Sequence, residues 1–143
     1  MVLSREYAPQ IVVKTEGLPR EDWLEYRRLG IGGSDAAAVL GISPFQTGRD
    51  LYYDKLKIVS ANDDDNWVAK KAGTLLEPLV AEIFSYRTGL KVYRKPFMYQ
   101  HPKYPWMLAD LDYLVELPNG KIAILECKTT NPFGKENWWY NGC

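Results

Sequence analysis

Asp112, Glu126 and Lys128 are spaced so that a hairpin would bring two acids and a cation onto one face. The segment Leu117-Pro118-Asn119-Gly120-Lys121 reads as a three-residue loop. Pro favours the second position of a type I turn, Asn suits the third, and Gly takes the left-handed residue that follows. Such a loop pairs Leu117 with Lys121, and counting outward puts Asp112 opposite Glu126 and Asp110 opposite Lys128. Side chains alternate along a strand, so all four share one side, with Leu114 and Ile124 as an apolar floor. Leu111, Tyr113, Val115, Ala123 and Leu125 fill the other side and read as core. Facing carboxylates have Cβ atoms about 5 Å apart and repel. Oxygen donors at that spacing suit Mg²⁺ or Mn²⁺, which take one or two carboxylates and keep waters for a substrate phosphate. Lys128 would then stabilise an attacking water or the phosphate charge. The same residues also read as a solvated hairpin end with a weak Asp110–Lys128 surface pair, and a slip of one residue would part the acids.

Two further groups bear on this chemistry. Glu77 borders the apolar face of a long helical pattern, with Val80 and Phe84 three and seven residues on. Thr74-Leu75-Leu76-Glu77 also matches a capping box, in which Glu only caps a helix start, and Pro78 places Glu77 at the helix entrance. Gly30-Ile31-Gly32-Gly33-Ser34-Asp35 is a glycine-rich turn entering a helix, just after Arg27 and Arg28. Backbone N–H groups at such a terminus bind phosphate and Ser34 adds a hydroxyl. The turn lacks the Gly-Lys-Ser/Thr of a Walker loop, and no strand precedes it as a dinucleotide fingerprint requires. An ordinary Ser or Asp N-cap is the alternative.

The elements that must position these groups follow the hydrophobic periodicity. Residues 1–18 form an extended arm with one strand-like run, Ile11-Val12-Val13. Helices are predicted over residues 19–28, 34–40, 49–57 and 74–88, stopped by Gly30, Gly41 and Gly89. Leu76, Leu79, Val80, Ile83 and Phe84 are the expected packing face of the last. The acidic stretch Asn62-Asp63-Asp64-Asp65-Asn66 reads as a solvated loop. Strands are predicted over residues 90–99, interrupted by Pro96, and over 107–117 and 121–130. Helices followed by a meander make an α+β fold with a small sheet.

Composition narrows the chemistry. A chain of 143 residues, 46% hydrophobic and 25% charged, suffices for one domain with its own core. Two cysteines and one histidine fall short of the four ligands of a structural zinc site or an iron–sulfur cluster. Any metal would therefore sit on carboxylates. The balance of 18 Lys+Arg against 18 Asp+Glu leaves nucleic-acid binding to local clustering of cations. No apolar run reaches the roughly 18 residues of a membrane helix, and Met1-Val2-Leu3-Ser4-Arg5-Glu6 lacks a secretion signal pattern. Cys127 should point away from the acids and pack, and His101, beside Pro102, reads as a loop or strand-end residue.

Between residues 23 and 133 the chain resembles the YqaJ-type viral recombinase family, the lambda-exonuclease-like branch of the PD-(D/E)XK nucleases. The resemblance lies in ordered segments: Trp23-Leu24-Glu25-Tyr26-Arg27, Gly30-Ile31-Gly32-Gly33-Ser34-Asp35 running on to Ser43-Pro44-Phe45, Gly73-Thr74-Leu75-Leu76-Glu77-Pro78, His101-Pro102 and Trp106 leading to Ala109-Asp110-Leu111-Asp112, and Leu125-Glu126-Cys127-Lys128-Thr129. It implies a restriction-endonuclease-like core, a small mixed sheet with a central catalytic hairpin flanked by helices, in one nuclease domain over residues 19–143. It also implies that Asp112, Glu126 and the Cys127 carbonyl ligate Mg²⁺ or Mn²⁺, with Glu77 as a helix-borne acid bound directly or through water. Lys128 would orient or activate the attacking water, and Arg27 and Ser34 would hold the phosphate at a DNA 5′ end. Such proteins degrade one strand of duplex DNA from the 5′ end for an annealing partner, in phage-type recombination in the cytoplasm of a bacterial host. The family usually has Pro-Asp-Gly where this chain has Leu111-Asp112-Tyr113. Beyond the lysine it continues into a helix with a Gln motif and a further strand, whereas this chain closes on Trp138-Trp139-Tyr140-Asn141-Gly142-Cys143. The expectation is a domain truncated at its C-terminus, completed by self-association. The lead function is a metal-dependent 5′ to 3′ exonuclease. The alternatives are a weakly active or inactive DNA-binding fragment, which binds without turnover, and an endonuclease on the same fold, which cuts closed circles.

Overall fold

The computed structural model describes residues 8–58 and 67–129. The acidic stretch 62–66 and the closing residues 130–143, including the expected truncation, lie outside the described residues. The fold is α+β, with two three-stranded antiparallel sheets and four α-helices among the described residues. The described residues divide into two compact units, one joining residues up to Ile58 to Lys95–Leu111, the other joining residues 67–94 to those from Asp112 onward. Among the described residues, no helix is long and apolar enough to cross a membrane.

In the first unit, β1 (Gln10–Lys14) pairs with β3 (Phe97–Gln100), and β3 with β4 (Leu108–Asp110). The Ile11-Val12-Val13 run is thus an edge strand, with its register shifted between Ile11 and Val13. Helix α1 (Arg20–Arg28) opens on acids and ends on arginines, as the helix dipole favours. A 3₁₀ turn (Gly33–Asp35), short α2 (Ala36–Val39) and α3 (Gly48–Lys55) follow. Thr47 caps α3: its hydroxyl accepts from the Asp50 N–H while the Asp50 carboxylate accepts from the Thr47 N–H. Met98, Leu108, Ala38 and Leu51 are buried. Gly30 is held by a close approach as well as ending a helix. Ile31 N–H donates to the Trp106 carbonyl at 2.7 Å, and a Cβ on Gly30 would come within 2.3 Å of that oxygen.

In the second unit, β2 (Lys91–Tyr93) pairs with β5 (Tyr113–Glu116), which pairs with β6 (Ile122–Leu125). The hairpin register is the one the turn residues dictate. Tyr113 faces Leu125 and Glu116 faces Ile122, Leu117 N–H donates to the Lys121 carbonyl at 2.8 Å, and Gly120 has φ 74°. Tyr113 and Val115 are buried on the core side, while Ile124 is exposed on the other.

The expected strand over residues 107–117 is broken into β4 and β5. Asp110 pairs with Met98 and accepts the Trp23 indole N–H at 2.7 Å, so the expected pairing of Asp110 with Lys128 does not form. The break falls where the Asp112 carboxylate takes the Cys127 N–H at 2.8 Å, a donor that a continued ladder would give to a backbone carbonyl. Helix α4 (Trp67–Thr88) starts well before Thr74 and contains Pro78. Thr74 is therefore interior, and its hydroxyl donates back to the Lys70 carbonyl at 3.1 Å. The capping-box reading of Glu77 fails because no helix start lies there. The packed face is shifted from the expected one. Ala81 is buried and Val80 and Phe84 are half-buried as expected of that face, whereas Leu76, Leu79 and Ile83 are 43%, 49% and 42% exposed. Apolar residues recur around most of this helix, and its small residues, Gly73 and Ala81, mark the side that approaches its neighbours.

Candidate functional site

The second unit brings Glu77 of α4 together with residues of the hairpin. A cavity of about 460 Å³ is walled by Lys70, Gly73 and Glu77 from the helix and by Asp112, Lys128 and Thr129 from the segments just before β5 and after β6. Lys70, Gly73 and Glu77 recur at three- and four-residue spacing and so share one helix face. Asp112 is anchored by the Cys127 N–H. Glu126 is not among the walls; its carboxylate takes a hydrogen bond from the Lys128 ammonium. Sequence reasoning missed Lys70 and Thr129. Lys70 was legible only once α4 was known to begin before Thr74.

The electrostatics show the carboxylates acting on one another. Burial raises the Glu77 carboxyl above its usual range, and the charges of Asp112 and Glu126 push the same way against Arg94 and Lys128. Burial acts to lower the Lys128 ammonium, but its hydrogen bond to Glu126 and the charges of Glu126, Asp112 and Glu77 outweigh this and leave it raised. Lys128 is thus a cation at neutral pH, a donor and a positive charge in place of a base. Burial, followed by Asp112, Glu77 and Glu126, also raises the Cys127 thiol, which keeps it protonated and poorly nucleophilic.

Among the described residues, no three His, Cys, Asp or Glu side chains gather tightly enough to hold a metal ion as they stand. The donor chemistry nonetheless fits a hard divalent cation. Two carboxylates, Glu77 and Asp112, open on one cavity, the number Mg²⁺ takes from protein. A cation there would offset the repulsion that lifts Glu77.

The first unit brings Arg27 and Ser34 together. The Arg27 guanidinium donates to the Ser34 hydroxyl at 2.6 Å, pairs with Asp35 at 3.1 Å and lies 5.0 Å above the Trp23 ring. Asp35, 6% exposed, also receives Lys55 at 2.8 Å and the Gly32 N–H at 3.0 Å. One carboxylate thus organises two cations and the glycine turn. Asp35 was legible in the sequence only as a cap, and Lys55, twenty residues on, gave no local signal. Arg28 is engaged by Glu25 and Asp54. His101 Nδ1 accepts the N–H groups of Lys103 and Tyr104, a structural role at the end of β3.

An α+β frame whose hairpin and adjoining helix turn carboxylates and an ammonium to one cavity is compatible with a nuclease-like core. The chain belongs to the YqaJ-like viral recombinase domain family, whose model matches residues 22–142. A curated relative, an uncharacterized protein YqaJ of Bacillus subtilis strain 168, is 39% identical over 129 residues. The match covers 90% of this chain, which spans 39% of the relative's length. No solved structure matches the chain.

Proposed function

We propose that this chain is the nuclease domain of a phage-type recombination protein, hydrolysing phosphodiester bonds from the 5′ ends of duplex DNA with Mg²⁺ or Mn²⁺. The observation that carries the reading is the cavity on which Glu77, Asp112 and Lys128 converge in a viral recombinase domain. Asp112, Glu126, the Cys127 carbonyl and Glu77 would hold the metal, which when bound supplies Lewis acidity to the scissile phosphate and its attacking water. Asp112 is oriented for this by the Cys127 N–H. Lys128, held protonated, steadies negative charge on the phosphate as water bonds to phosphorus and the P–O3′ bond breaks. Arg27 and Ser34 would grip the 5′-terminal phosphate, with Asp35 fixing the guanidinium. Breaking P–O3′ leaves a new 5′ phosphate on the shortened strand, the group that grip requires for the next cut. The partners in this reading are double-stranded DNA ends, an annealing protein for the exposed single strand and a second copy of the chain. The setting is the cytoplasm of a bacterial host.

Digestion of linear duplex DNA with Mg²⁺ tests the reading. Glu126→Ala and Lys128→Ala are each expected to slow it by roughly a hundredfold or more, and unchanged rates in both would remove these residues from the chemistry. A second reading, a DNA-binding module of low turnover, is favoured by the engagement of Glu126 with Lys128. It predicts salt-dependent binding by folded protein with no cleavage.

A further inference from the structure

The geometry points to Lys70 as a DNA-positioning residue that contacts a phosphodiester neighbouring the one cut. The inference rests on the nuclease reading for the identity of its ligand. Lys70 lies on the α4 face that also carries Gly73 and Glu77, and all three line the same cavity. Glu77 and Asp112 make part of that wall anionic, which repels a phosphate strand wherever no cation offsets them. Lys70 brings a second positive charge to the wall beside that of Lys128.

Seven residues of helix separate Lys70 from Glu77, about 10 Å along the axis. That exceeds the span of one phosphate, so a phosphate at Lys70 is a neighbour of the group at Glu77. Gly73 lies between them and keeps the wall clear; a Cβ there would stand 3.3 Å from the Thr129 hydroxyl oxygen. The cavity therefore has a reacting end at Glu77, Asp112 and Lys128 and a holding end at Lys70.

The test uses a 5′-phosphorylated duplex oligonucleotide, with binding followed by anisotropy in chelator over a range of salt. Wild type, Lys70→Ala and Lys70→Arg are compared after circular dichroism shows each to be folded. Lys70→Ala is expected to weaken binding about fivefold and to reduce the salt slope by about one, with Lys70→Arg restoring both. A neutral methylphosphonate, moved singly along the strand, should weaken wild type at one position where Lys70→Ala is indifferent. In cleavage, KM should rise in Lys70→Ala more than kcat falls. Equal salt slopes and equal methylphosphonate profiles in a wild type that digests DNA would overturn the Lys70 assignment alone. A Lys70-dependent slope without any digestion would overturn the nuclease reading and keep the phosphate contact. Absence of DNA binding would overturn both.

Discussion

Glu77 holds its proton more tightly in the folded chain than an exposed carboxyl would, through burial and the charges of Asp112 and Glu126. The folded state therefore binds more protons than the unfolded one between the ordinary Glu pKa, about 4.3, and the raised value. Stability falls as pH climbs through that window, and the penalty is complete above it. In chelator, Glu77→Gln should raise Tm at neutral pH and lose that advantage below about pH 4; a gain independent of pH would show that charge at this position is not the cause. Mn²⁺ should raise the Tm of wild type by a few degrees, and clearly less in Asp112→Asn, a readout that needs no turnover. The hairpin register beside Asp112 was legible because alternation and a turn fix it locally. Glu77 was legible as a candidate, but its role turned on where α4 begins. The pairing of Glu126 with Lys128 depends on side-chain conformation, which residue spacing does not encode.

Turns and close approaches govern the elements. Gly120, at φ 74°, sets the register that faces Tyr113 with Leu125, the residues next to Asp112 and Glu126. Gly120→Ala should cost about 1 kcal/mol in urea unfolding, with Gly120→Asn better tolerated because Asn accepts the left-handed region. Gly30→Ala should cost more, since its Cβ meets the Trp106 carbonyl at 2.3 Å and backbone must move. The hairpin, α1 and α3 were readable from caps, dipole charges and turn chemistry, all of which are local. The break between β4 and β5 was not, because the competitor for the ladder is the Asp112 side chain reaching Cys127. The buried face of α4 was equally opaque: its apolar pattern offers several faces, and tertiary contact selects the one with the small residues.

At the scale of the molecule, the cluster of Arg27, Ser34 and Asp35 that we propose grips phosphate belongs to the first unit and the carboxylate cavity to the second. Variants should therefore separate two functions. Asp112→Asn should abolish digestion while keeping tighter binding to 5′-phosphorylated than to 5′-hydroxyl ends; Arg27→Ala should lose that preference yet retain slow digestion. Competition binding and gel-resolved digestion on the two end types read both. The first unit joins residues up to Ile58 to Lys95–Leu111, a long excursion in sequence. The hairpin of β5 and β6 needs no such excursion. A two-stranded turn closes in about 1–10 μs, whereas pairing β1 with β3 requires a loop of many tens of residues to shut first. During refolding, the strands that run from Asp112 and up to Glu126 thus form ahead of the first unit's sheet, and amide protection should appear at Val115 and Ala123 before Ile11 and Val13.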